Sequence, residues 1–343
     1  MTATLNKKTT DFSILIWICT LTIMVLLIIV IGGLTRLTDS GLSMVDWRPI
    51  LGIIPPLSEA SWQNVFEQYK LSPEYIIVNK NMTLEDFKFI FWWEWFHRFF
   101  ARLIGFVFII PFFYFLFKKR LSVKLLMVLG IIFLFGCLQA YVGWWMVKSG
   151  LTENPYVSAY RLAFHLTNAL IIYVLFFWLS LNLFFGRMQK NNISKINKHF
   201  FHFSLLLIFI TIVSGSFMAG TDSGKSFNTF PLMNGQIIPE GYFIDFFGWR
   251  NVFENTIAIN FNHRWLAIFT FFFTSLHIIY LINKKIYNNF SLYLVLFILS
   301  LQILLGVLTL IYIVPISYAS MHQTNAIILL SSMLYAYHRI IYK

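Results

Sequence analysis

Apolar stretches of about 20 residues constrain this chain more than any other feature, because a run of that length crosses a bilayer as a helix. Eight occur, near residues 12–34, 96–117, 122–146, 162–184, 200–219, 261–282, 290–314 and 320–338. A helix satisfies its own backbone where water is absent, so the sequence predicts an all-α membrane protein with eight transmembrane helices. Only 12% of the residues are charged, against roughly 25% in a soluble domain.

The charges orient those helices. The N-terminus, the second, fourth and sixth connections and the C-terminus carry Lys7, Lys8, Lys118, Lys119, Arg120, Lys124, Arg187, Lys190, Lys195, Lys198, Lys284, Lys285, Arg339 and Lys343, with Asp11 as their only acid. The other acids lie with the first, third and fifth connections or the adjoining helix ends, which predicts a cytoplasmic basic side and both termini inside. The formal charge of +12 is then a topology signal and not a nucleic-acid footprint. The first span begins about a dozen residues from Met1, with no Arg-rich presequence ahead of it and no small-residue cleavage site behind it, so a bacterial inner (plasma) membrane is expected. Cys19 and Cys137 fall inside spans, which leaves no outer-loop disulfide to draw.

The two halves of the chain echo each other. "TRLTDSGLS" (35–43) matches "MAGTDSGKS" (218–226), "FHRFFARLIG" (96–105) matches "NHRWLAIF" (262–269), "LQAYVG" (138–143) matches "LQILLG" (301–306), and "FHLTNALII" (164–172) matches "MHQTNAIIL" (321–329). A duplicated four-helix unit with an even number of crossings gives parallel repeats, so two four-helix bundles are predicted, residues 1–190 and 191–343. The long outer loop belongs to the first.

His97, His165, His263 and His322 are expected in the first turn or so of spans two, four, six and eight, at one depth near the outer face. Taken singly, such a histidine is either an interfacial residue bonded to backbone or headgroup, or a functional ligand. Four in repeat-matched pairs favour the second, because two imidazoles on neighbouring helices can ligate one flat macrocycle from opposite faces. Zinc fits less well, since each half offers two histidines and no further ligand unless Glu94 joins. His199, His202 and His338 fall at the basic interface and His277 about 21 Å from His263, all four expected to be structural. No acid occupies the middle of a span, which weakens a proton-coupled transporter.

Glu94 precedes His97 by three residues, on the same helix face if the helix extends that far. It either complements a helix N-terminus or does chemistry. The matching residue of the second half is Asn260, so only one half pairs a carboxylate with its histidine. Arg98, Arg102 and Arg264 suit haem propionates or lipid headgroups.

Beyond these patterns, "GGLTRLTDSGLSMVDWRPILGIIPP" (32–56), "PEY" (73–75), "FKFIFWWEWFHR" (87–98), "GTDSGKSFNTFPLMNG" (220–235), "NFNHR" (260–264) and "HQTNA" (322–326) resemble the haem A synthase family of cytochrome oxidase assembly. The resemblance runs from first span to last and is closest to the mitochondrial and proteobacterial type. Outer-loop cysteine pairs found in some other members are missing. The resemblance implies oxidation of a ring methyl of haem O to the formyl group of haem A, with haem b as electron carrier. It implies substrate haem at His97 and His165, haem b at His263 and His322, and Glu94 as the catalytic carboxylate, with the haem sites toward the outer face. Implied partners are membrane lipid, the enzyme supplying haem O, an electron donor of ferredoxin-like or quinol type, and oxidase assembly components, with no nucleic acid. Two axial histidines held at once leave no position for oxygen, so either one leaves during turnover or electrons are withdrawn from the macrocycle and water attacks the resulting carbon. A two-haem cytochrome that only relays electrons, and a haem carrier without chemistry, are the competing readings.

Overall fold

The computed structural model describes residues 11–46, 51–152, 154–186, 189–284 and 289–342. Lys7, Lys8, Arg187, Lys285 and Lys343, five of the basic topology markers, lie outside the described residues. The elements are α1 (Phe12–Leu37), α2 (Glu59–Lys70), α3 (Pro73–Ile77), α4 (Leu84–Phe117), α5 (Val123–Ser149), α6 (Ala159–Phe185), α7 (Lys195–Gly220), α8 (Asn251–Glu254), α9 (Thr256–Asn283), α10 (Asn289–Ile311) and α11 (Ile316–Ile341), with short 3-10 turns in the loops. No named strand occurs among the described residues.

Seven of these helices, α1, α4, α5, α6, α7, α9 and α10, are long and apolar enough to cross a membrane. The eighth expected span falls in α11, a 26-residue helix whose N-terminal part carries His322, Gln323, Thr324 and Asn325. Several helices outrun the apolar stretches that announced them. α4 starts at Leu84, where Thr83 and Asp86 form a reciprocal capping box. At 34 residues it is roughly 51 Å long against an apolar bilayer core of about 30 Å, so its first turns stand outside. On that extension sits α2, capped by Ser58 and Ser61, burying Trp62, Phe66 and Tyr69 against Phe87, Ile90 and Phe91. The loop after the first span is therefore a folded cap with its own small core.

Within the membrane part, α4 and α6 both pack on α1, and α5 packs on α6. In the same way α9 and α11 pack on α7, while α10 packs on α9 and α11. The two sets meet through α6 against α7 and α1 against α11, with α6 touching α11 between them. Tight approach at the α1–α11 seam is possible because Gly33 has no side chain: a Cβ there would lie 1.9 Å from Oε1 of Gln323, whose Nε2 donates to the Ile29 carbonyl at 2.8 Å. One contiguous apolar core runs through all eight long helices, from Ile14 and Leu21 to Met333 and Ile340.

Polar ties group the connections by side. Asp11 pairs with Arg120 at the α4–α5 turn, and the Asn191 N–H donates to the Ile341 carbonyl at 2.9 Å. On the other side, Arg36 bonds Asp39 at 2.6 Å and the Ala219 carbonyl at 2.7 Å, and reaches Asp222 at 3.4 Å.

Candidate functional site

The four paired histidines share a local construction. His97 on α4 rests on Gly32 of α1, His165 on α6 rests on Gly143 of α5, His263 on α9 rests on Gly215 of α7, and His322 on α11 rests on Gly306 of α10. A Cβ on those glycines would lie 3.1, 2.9, 3.4 and 2.9 Å from Cε1 of the respective ring. In each case Cε1 is nearest and Nδ1 next, so the same ring edge faces the neighbouring backbone. All four histidines are half-buried. His97 lies within electrostatic range of His165, and His263 of His322.

None of the four sits in a first turn. His97 is 13 residues into α4, because the capping box starts that helix early, whereas the other three are six or seven residues in. The placement of Glu94 changes with it. Ten residues inside α4, it is not a helix-terminus carboxylate, and the helix does put it on the face of His97.

Glu94 is 2% exposed and saturated with donors. Oε2 accepts from the Ser43 hydroxyl at 2.6 Å and the Met44 N–H at 2.7 Å, and Oε1 accepts from Arg98 Nη2 at 2.5 Å. Arg98 also donates to the Met44 carbonyl at 3.2 Å. The carboxylate thus clasps the turn that follows α1, the helix on which His97 rests. In the second set a neutral amide takes the place of the carboxylate. Asn260 Nδ2 donates to the Ser223 carbonyl at 2.6 Å while its Oδ1 accepts from Arg264 Nε at 2.6 Å. Arg264 reaches on to the carbonyls of Thr229 at 2.6 Å and Phe227 at 2.8 Å. Arg98 and Arg264, expected as propionate or headgroup anchors, each bond the loop backbone beside their helix. Arg102 stands one turn beyond Arg98, half-buried.

Behind the rings lie residues that the sequence reading passed over. Asn168 Nδ2 donates to Gln139 Oε1 at 2.7 Å and to the Phe135 carbonyl at 3.0 Å, which turns the Gln139 amide nitrogen toward His165 Nε2 at 3.2 Å. Asn325 does the same for Gln302, through 2.8 Å to Oε1 and 3.1 Å to the Ile298 carbonyl. The Gln302 amide nitrogen then lies 3.1 Å from His322 Nδ1. At His263, Nδ1 meets the Ser214 hydroxyl at 2.7 Å. Gln139, Gln302, Asn168 and Asn325 sit inside the echoes "LQAYVG"/"LQILLG" and "HLTNA"/"HQTNA", the one signal that pointed to them, and Ser214 lies outside both.

A haem fits this construction. Among the described residues no three His, Cys, Asp or Glu side chains gather to hold a bare ion. Each histidine pair instead suits a metal that brings its own equatorial ligands. Nδ1 of His97 and of His165 is buried with no hydrogen-bond partner, and glycine lets every ring sit directly against the neighbouring backbone.

The remaining histidines differ from one another. His199 and His202 are exposed, with His202 Nε2 2.7 Å from the Tyr337 hydroxyl. His338, expected at the interface, is 1% exposed and packs on Trp178, Phe185 and Tyr342, with Nε2 3.2 Å from Asn182 Oδ1. α11 packs that end against its neighbours, which buries a ring that its position near the terminus made look superficial. His277 is also buried.

Comparison with known proteins places this construction. The COX15-CtaA family, described as cytochrome oxidase assembly protein, matches residues 15–334. The heme A synthase of Nitrosospira multiformis is 41% identical over 351 residues, covering 99% of this chain and 98% of that protein. That of Wolbachia pipientis from Culex pipiens is 42% identical over 323 residues, covering 93% and 95%. That of Flavobacterium psychrophilum is 40% identical over 338 residues, covering 95% and 98%.

Proposed function

Because the chain belongs to the COX15-CtaA family of cytochrome oxidase assembly proteins, and because its histidines stand in two like-built pairs, we propose that it is a haem A synthase. This is an oxidoreductase converting a ring methyl of haem O to the formyl group of haem A. The observation that carries the site assignment is the fourfold seating of His97, His165, His263 and His322 on glycines of adjacent helices.

On this reading α11 is the eighth span, both termini are cytoplasmic, and the protein is two parallel four-helix bundles, residues 1–190 and 191–343, in a bacterial inner membrane. The support is the matched packing of α1, α4, α5 and α6 with that of α7, α9, α10 and α11, and the grouping of the basic connections by ion pairs and backbone bonds. The haem sites face the outer side, the first of them under the α2–α4 cap.

The first bundle takes the substrate haem O between His97 and His165, and the second holds haem b between His263 and His322. Haem b supplies one-electron chemistry when bound. Glu94 distinguishes the two sites. Turning a methyl into a formyl group replaces two C–H bonds with a C=O bond, so protons must leave the reacting carbon, and Glu94 is the carboxylate at the first site that can hold a proton or stabilise positive charge. The neutral Asn260 cannot. Arg98 holds the Glu94 carboxyl in place through their 2.5 Å bond. The α2–α4 cap, with Trp62, Phe66 and Tyr69 packed on Phe87 and Phe91, keeps bulk water from that end. Membrane lipid, the enzyme supplying haem O, an electron donor and oxidase assembly components are the partners this activity requires.

The test is to purify the protein from cells that make haem O, extract its pigments with acid solvent and identify them by mass. Haem b together with haem O, haem A or a hydroxylated intermediate is expected. Haem b alone, with haem O available, would reduce the protein to an electron-transfer cytochrome.

A further inference from the structure

A polar seam runs down the interface of α7 and α9, from His263 toward the opposite surface, and nothing in the proposed chemistry uses its lower part. At the top, Ser214 joins His263. One turn lower, the hydroxyls of Thr211 and Thr270 meet across the interface at 3.0 Å. Below them lie Ser204 on α7 and Thr274 on α9, both 0% exposed, and then His277, 5% exposed. The stripe is continuous on each helix: Ser204, Thr211 and Ser214 on one, His263, Thr270, Thr274 and His277 on the other, at spacings of three, four and seven.

The lower members are anomalous in their hydrogen bonding. A hydroxyl in a membrane helix ordinarily donates to the carbonyl one turn back. Thr211 does so to Leu207 and Thr270 to Leu266, each at 2.7 Å, as Thr22, Thr167 and Thr309 do elsewhere. The hydroxyls of Ser204 and Thr274 have no partner, nor has either ring nitrogen of His277. These groups are not at the lipid surface, where they would simply be wasted. The His277 ring packs edge-on against Phe201 of α7, with centroids 4.7 Å apart, and Thr274 is one turn above it on the same face. Buried polar groups of this kind are held by bound water, which needs two to four polar partners.

The first set of helices has no such seam. Counting from the shared Thr-Asp-Ser-Gly stretch and from the paired histidines, Ser204, Thr211 and Ser214 correspond to Leu21, Ile28 and Ile31 on α1. Thr270, Thr274 and His277 correspond to Ile104, Phe108 and Pro111 on α4. All six counterparts are apolar. The polarity therefore belongs to the His263 side specifically and is not a by-product of packing two helices in this geometry.

The geometry points to a file of bound water along α7–α9, entered at His277 and running past Ser204 and Thr274 to the Thr211–Thr270 pair, which links the inner surface to the Ser214–His263 contact. Hydroxyls, water and imidazole each donate and accept, so such a file moves protons as well as holding water. Asn197, one turn below Phe201 and 5% exposed with an unpartnered Oδ1, extends it toward the start of α7. The existence of the file is independent of what His263 binds. Its purpose, delivering protons beneath a redox group, rests on the haem b reading above.

Silver ion, close to water in size, tests it through thiols. In the full-length protein with Cys19 and Cys137 replaced by serine, Ser204→Cys and Thr274→Cys are made singly, with Leu21→Cys and Phe108→Cys as the matched positions of the first set. Purified protein is exposed to silver nitrate, and surviving thiols are labelled with maleimide after denaturation. A hydrated seam lets Ser204→Cys and Thr274→Cys react at least about tenfold faster than the two apolar-site thiols. Adding His277→Phe to Ser204→Cys, which fills the entrance with an apolar ring, is expected to slow the reaction back toward the control rate. Equal, slow reaction at all four positions would overturn the proposal, as would fast reaction at Leu21→Cys. Because no haem is needed, a negative result here is separate from failure of the haem A synthase reading.

Discussion

The Ser214 hydroxyl sits 2.7 Å from Nδ1 of His263 and gives its own proton to the Thr211 carbonyl at 2.8 Å. With that proton committed, the hydroxyl oxygen accepts, so Nδ1 carries the hydrogen and Nε2 keeps its lone pair. This is the tautomer that an iron ligand requires, set by an outer partner in the usual way. Ser214→Ala removes the acceptor while leaving the ring in place. Haem b affinity is expected to fall by about 10- to 100-fold, measured as haem retained per protein on dilution. The substrate site, whose counterpart residue is Ile31, is expected to be unaffected.

The glycines under the rings give a sharper dissection of the two sites. Gly143→Ala would place a methyl group 2.9 Å from Cε1 of His165, and Gly306→Ala would do the same at His322. In both cases the ring must move, and the neighbouring Gln139 or Gln302 limits where it can go. Gly143→Ala is expected to lower substrate-haem occupancy severalfold with haem b intact, and Gly306→Ala the reverse, read from the pigments extracted from each variant. If either substitution depletes both haems equally, the two sites are not built separately.

Much of this was legible in the chain, and the misses have physical causes. The apolar stretches announced the long helices because burial in lipid demands about 20 uninterrupted apolar residues. They placed the start of α4 too late, since residues 84–95 carry Glu85, Asp86, Lys88 and Glu94 and an apolar scan stops there, although Thr83 and Asp86 spell a capping box. α2 and α3 were missed for the same reason: their apolar face is closed by the outer turns of α4 and not by lipid. The histidines stood out by type and repetition. Their glycines did not, because a glycine reveals its purpose only when the opposing ring is known. Nor could the chain show that Glu94 is satisfied by Ser43 and Met44, about fifty residues away across the first outer loop.

The cap above the first site carries a built-in pH response. Burial pushes the Glu74 carboxyl up to about 7, only partly offset by the hydrogen bond it accepts from Tyr69 at 2.8 Å. The charges of Glu94 and Asp39 push the same way, and that of Arg36 opposes them. Between the ordinary carboxylate value of 4.5 and about 7, the folded cap binds more protons than the unfolded loop. Its stability is therefore greatest below that window and declines as pH rises through it. Hydrogen exchange over residues 59–79 should speed up relative to the intrinsic rate between about pH 5 and pH 8. Glu74→Gln should flatten the dependence. A wild-type cap with no such dependence would mean that Glu74 is ionised at low pH despite its burial.

Glu94 carries two duties that substitution can separate. It holds the turn after α1 through Ser43 and Met44, and on the proposed function it serves the chemistry at the first site. Glu94→Ala abolishes both. It removes the carboxylate from Arg98, which keeps its bond to the Met44 carbonyl. Glu94→Gln is the informative change: its amide oxygen still accepts from the Ser43 hydroxyl and the Met44 N–H, which holds the turn, while its amide nitrogen faces Arg98 as a second donor and only that bond is lost. What it loses is the ability to take up a proton and the negative charge facing the substrate. Catalysis by a positioned acid or base is worth about 10²- to 10⁴-fold, so haem A formation should fall by that range while haem content stays within about twofold of wild type. Haem lost together with activity in Glu94→Gln would make Glu94 a clasp alone, equivalent to Asn260, and the asymmetry between the two sites would need another source.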